Sequence, residues 1–156
     1  MKHVSYFIVA FALLICLGAC SSKQNSYSEF IHMPDAGWLA DYPCYFTPAV
    51  DDSLVSCHDV LLAIRYDKNY RFSDISMVVD LLSADSVVSR TNVDMRLSDA
   101  NGNWLGSGFG PLYQMETMVH AGINLDSIDH IVVWQVTGND TLPGVTEVGI
   151  TIEPSK

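Results

Sequence analysis

From Trp38 onward the chain is a succession of short runs rich in β-branched and aromatic residues, parted by turn-forming clusters. The spacing predicts strands over Trp38–Thr47, Asp59–Tyr66, Ile75–Leu82, Ser89–Leu97, Leu112–His120, His130–Val136 and Thr146–Ile152. Asn92-Val93-Asp94-Met95-Arg96-Leu97 alternates polar and apolar residues strictly, and Val148, Ile150 and Ile152 share one face of the last run, as half-buried strands do. Ile75–Leu82 is apolar almost throughout and suits a central strand. Asp99-Ala100-Asn101-Gly102 and Thr137-Gly138-Asn139-Asp140 read as tight turns, and Pro48 and Pro143-Gly144 bound further runs. The nearest helical alternative is Val78–Val88, where Asp80 and Asp85 interrupt any apolar stripe. There is no internal repeat. The predicted fold class is all-β: a single antiparallel β-sandwich, jelly-roll-like, over residues 37–156.

The N-terminus follows a different pattern. Met1-Lys2-His3 precedes an apolar run from Val4 to Leu17, then Gly18-Ala19-Cys20. A cationic start, a short apolar core and small residues at a cut site describe a secretory signal. A spanning helix needs about 20 apolar residues, and this run ends in small residues and turns polar at Ser21. Leu17-Gly18-Ala19-Cys20 resembles the bacterial lipoprotein cleavage box. That resemblance implies removal of residues 1–19, a diacylglycerol on the Cys20 sulfur and acylation of the new amino end. Several acyl chains anchor stably where one does not. The other reading is an ordinary cleaved signal with Cys20 beside the cut. Residues 20–36 then read as a lipidated Cys and a flexible, polar tether. Ser21 after the Cys resembles lipoproteins sent to the outer membrane, and the absence of an acidic cluster there favours the periplasmic face.

Charge narrows the function. With 8 Lys+Arg against 18 Asp+Glu, the formal net charge is -10. Phosphate neutralisation needs clustered cations, so nucleic acid is not an expected partner. Anionic lipid headgroups are disfavoured for the same reason, which leaves the acyl anchor as the membrane contact. Cys44 and Cys57 are the only thiols remaining after processing. A disulfide between them, flanking an expected hairpin, would contribute about 3 kcal/mol; two free, half-buried thiols are the alternative. Cys57 and His58 would point to opposite faces of a strand, which disfavours a catalytic thiol.

Other constellations fail their chemistry. Asp99-Ala100-Asn101-Gly102-Asn103 begins like a calcium loop, but Trp104 and Gly110 occupy the positions that require Gly and Glu. Gly106-Ser107-Gly108-Phe109-Gly110 lacks the Lys and following helix of a phosphate loop, and it lacks the spacing of a nucleophile elbow. Its glycines fit a bulge or a close backbone approach. His32, His58, His120 and His130 show no metal-ligand spacing, and nothing selects an acid–base pair from Glu29, Asp94, Glu116 and Glu147. No catalytic residue, metal site or cofactor is predicted.

Ile64-Arg65-Tyr66, Tyr70-Arg71-Phe72-Ser73-Asp74-Ile75, Leu97–Gly108 with its Asn-Gly-Asn-Trp-Leu-Gly core, Val133-Trp134-Gln135 and Leu142-Pro143-Gly144 through Ile150 occur in that order behind the lipoprotein box. This set resembles the gliding-motility lipoprotein GldH family of the Bacteroidetes. The resemblance implies a non-enzymatic envelope lipoprotein with a protein partner in gliding or secretion machinery. A carbohydrate-binding sandwich is the alternative, with glycan as partner, since jelly rolls display aromatic platforms. Trp38, Trp104 and Trp134 are the candidate interaction residues, and core packing is the competing reading for each.

Overall fold

The computed structural model describes residues 26–49 and 57–155. Eleven strands run through them: β1 Tyr27–His32, β2 Trp38–Leu39, β3 Cys44–Phe46, β4 His58–Asp67, β5 Asp74–Ser83, β6 Ser86–Arg96, β7 Ser107–Phe109, β8 Leu112–Ile123, β9 His130–Gln135, β10 Thr141–Leu142 and β11 Val145–Pro154. One antiparallel sheet has the order β1-β11-β4-β8-β7 and the other β3-β9-β5-β6, with β2 and β10 as a small separate pair. Setting aside the short β2, β7 and β10, the remaining strands lie first-eighth-third-sixth in one sheet and second-seventh-fourth-fifth in the other. That is jelly-roll order.

Period-2 alternation builds the layers. His58, Val60, Leu62, Ile64 and Tyr66 of β4 are fully buried. Ile75, Met77, Val79 and Leu81 of β5, Ile131 and Val133 of β9, and Val148, Ile150 and Ile152 of β11 are buried in the same core. Each fully buried aliphatic side chain contributes about 1.5–3 kcal/mol. β5 is central, between β9 and β6, as its apolar run predicts. The turn at Leu142-Pro143-Gly144 admits only glycine at its last position: φ is 85°, and a Cβ would lie 2.1 Å from the Tyr70 amide nitrogen.

Two boundaries differ from the sequence reading. The sandwich starts before residue 37, because Tyr27–His32 pairs with β11 in register Tyr27↔Ile152 to His32↔Glu147. Tyr27 and Ile31 pack against the core from this strand, so part of the expected tether is an edge strand. Trp38–Thr47 is not one strand: a turn after Leu39 separates β2, which pairs with β10, from β3, which pairs with β9. Val78–Val88, the helical alternative, belongs to the β5–β6 hairpin, turned by Ala84 and Asp85 at φ 45° and 65°. The signal segment and Cys20 lie outside the described residues.

Candidate functional site

The three tryptophans do not form a platform. Trp38 is 0% exposed, and its indole N–H donates to the Tyr42 carbonyl at 2.8 Å, so it is a core residue. Trp104 is half-buried in an aromatic cluster, its ring 5.2 Å edge-on from Tyr66 and 5.9 Å from Tyr113. Tyr66 anchors that cluster: its hydroxyl donates to the Leu97 carbonyl and accepts from the Gly106 amide, both at 3.1 Å. Trp134 alone is on the outward face of β9, between the buried Val133 and Gln135. The sequence could not separate these roles, because all three residues stand in strand-like surroundings.

The outward face of the four-stranded sheet carries the largest exposed apolar side chains near Trp134. Tyr45 of β3 is 57% exposed and Val136, just past β9, is 51% exposed. Tyr45 pairs with Val132 and Trp134 with Val78, so these residues adjoin across three strands. A polar row borders them. Buried Asp80 accepts from Nε and Nη2 of Arg90, each at 2.7 Å, and Asp94 accepts from the Ser76 hydroxyl at 2.6 Å.

The outward face of the five-stranded sheet is polar in its middle. The pairings His32↔Glu147, Glu147↔Arg65, Arg65↔Gln114 and Gln114↔Ser107 align one row across five strands. Arg65 ion-pairs with Glu147, donates from Nε to Gln114 at 2.9 Å, and covers the Phe30 ring at 3.8 Å. His32 Nε2 lies 3.0 Å from the second Glu147 oxygen. An open groove of about 420 Å³ lies beside this row, lined by Arg65, Gln114, Glu147 and Leu112. Every charge in it is already matched within the protein.

The remaining sequence candidates are dispersed. Glu147 is committed to Arg65, Asp94 is on the opposite sheet, and Glu29 accepts from the Tyr27 hydroxyl, so these carboxylates do not converge. No group of three or more metal-ligand side chains occurs among the described residues. Asp99 accepts from the Asn101 and Asn103 amides at 2.8 Å each and from the Asn103 side chain at 2.9 Å, which holds its carboxyl below the usual range. That is a turn stabilising itself. Gly106 and Gly108 make the close approach expected of them: a Cβ on Gly108 would lie 2.1 Å from the Leu112 carbonyl.

Cys44 and Cys57 are both free thiols. The expected hairpin between them does not form, because β3 belongs to the four-stranded sheet and β4 to the five-stranded one. Cys44 faces the core, where burial pushes its thiol up to about 12, while Cys57 is exposed.

Against this arrangement, the family description "GldH lipoprotein" matches residues 25–152. The chain belongs to the GldH lipoprotein family. A relative named as a gliding motility lipoprotein GldH homolog, from Christiangramia forsetii, is 24% identical over 97% of each chain. Two structures of the Tobacco streak virus coat protein align with 88% and 87% of this chain at 14% and 11% identity. Their TM-scores are 0.33 and 0.33, too low to carry any statement about this GldH member.

Proposed function

We propose that this GldH family member is an outer-membrane lipoprotein, acylated at Cys20, whose sandwich stands on the periplasmic face and binds another envelope protein without catalysing a reaction. Family membership and the Leu17–Cys20 box support the anchor. The observation that carries the binding reading is the outward face of the four-stranded sheet, where exposed Tyr45 and Val136 flank the half-buried Trp134. Exposed aromatic and apolar side chains with a polar border are the usual make-up of protein interfaces. The matched charges on the opposite face give no comparable driving force for association.

A photo-crosslinking residue placed at Tyr45 in the full chain, in intact cells, tests the reading. Met118, 52% exposed on the outward face of the other sheet, serves as the control position. The expected result is an adduct with one defined envelope protein from position 45 and none from position 118. No adduct from correctly localised, folded protein, or equal adducts from both positions, overturns it.

A further inference from the structure

The four-stranded sheet ends on one side at β3, of 3 residues, and on the other at β6, of 11 residues. Among the described residues no strand pairs with the far side of β6. The phase of its ladder is set at the end of the strand, where the Leu97 amide donates to the Ser73 carbonyl at 2.8 Å. Alternation from that point gives the backbone groups of Thr91, Val93 and Met95 to β5, and directs those of Arg90, Asn92 and Asp94 to the open edge. A long bare ladder is a template for another strand.

The side chains of that edge select which strand. Arg90 donates to Asp80 through Nε and Nη2, which leaves Nη1 for a further acceptor. Asp94 takes the Ser76 hydroxyl on Oδ1, which leaves Oδ2. We propose that a second copy of this chain pairs antiparallel with β6 about a two-fold axis at Asn92. Arg90 then lies opposite Asp94 of the partner subunit, and Asp94 opposite Arg90 of the partner subunit, in hydrogen-bonded positions on one face. The result is a polar row Ser76–Asp94–Arg90–Asp80 that crosses the interface twice. Other axes lose this match. Centring on Thr91 sets Arg90 against Asn92, centring on Val93 sets it against Arg96, and centring on Arg90 or Asp94 puts like charges face to face, which destabilises. This edge is the one opposite Tyr45, so the inference goes beyond the envelope-partner reading and can fail without it.

Cysteine crosslinking of the full chain in intact cells tests the pairing, in a Cys57→Ser background that removes the exposed native thiol. Asn92→Cys places two thiols across the axis, where directly opposed strand residues are about 5.5 Å apart and within disulfide reach. Asp94→Cys thiols would be separated by about 13 Å along the strands. Oxidation is therefore expected to give a disulfide-linked dimer from Asn92→Cys and none from Asp94→Cys. Adding Asp94→Arg to Asn92→Cys opposes two arginines and should lower the dimer yield about tenfold or more. The pairing is overturned by an Asn92→Cys chain that melts normally yet gives no dimer, by its crosslinking to a different protein, or by equal dimer yield from Asp94→Cys.

Discussion

The Phe30 ring occupies the space where a side chain at position 149 would sit: a Cβ there would lie 2.4 Å from it. The ring is held from above by the Arg65 guanidinium. Gly149→Ala is expected to displace the ring and cost about 1–2 kcal/mol, measurable by denaturant unfolding. In the Phe30→Ala background the same change should cost less, since the clash is gone. His120 makes a second prediction. Burial lowers its pKa below the ordinary 6.5, and its Nε2 is 3.2 Å from the Thr91 hydroxyl. The unfolded chain therefore binds a proton that the folded chain refuses, so this contribution is complete above about pH 6.5 and is lost as pH falls through the folded value. Melts from about pH 8 to pH 5 should show the wild-type chain losing stability and His120→Gln losing less of it. Neither role was legible in the sequence. Gly149 looks like any strand glycine, and His120 turns inward only because a bulge shifts the register between Val60↔His120 and Leu61↔Met118.

The β5–β6 hairpin is turned by two residues, Ala84 and Asp85, both at positive φ. Such turns favour Asn-Gly, since a Cβ in the left-handed region costs about 1–2 kcal/mol. Replacing Ala84-Asp85 with Asn-Gly should stabilise the domain by about 1 kcal/mol, seen as a higher unfolding midpoint with an unchanged denaturant slope. The lack of a strong turn dipeptide here is why Val78–Val88 invited a helical alternative. The runs with strict alternation, by contrast, were readable to within a few residues: Asn92–Leu97 covers the end of β6 and the one residue beyond it, and Thr146–Ile152 is the body of β11. β1 was missed because its apolar residues, Tyr27, Phe30 and Ile31, alternate imperfectly, with Phe30 on the opposite face from the other two.

The jelly roll brings the chain's first described strand, Tyr27–His32, beside its last, so the folded body already includes Tyr27. An anchor on Cys20 would therefore hold the sandwich close to the bilayer, with only a few residues between acyl chains and β1. Cys20→Ser should move the protein from the membrane pellet to the soluble envelope fraction and abolish incorporation of labelled fatty acid, while leaving the melting profile unchanged. Retention of label by the Ser variant would disprove acylation at that position.

Polar–apolar periodicity was enough to establish an all-strand body, its central strand and most of its long strands, because burial on one face writes a period of two into the chain locally. The ordered motifs behind the lipoprotein box were enough for the family. Which strands are neighbours, whether Trp38, Trp104 and Trp134 share a face, and why Cys44 and the strand that follows Cys57 belong to different sheets depended on pairings between distant segments. Those pairings are set by the competition of all strands for one core, a property no local window contains.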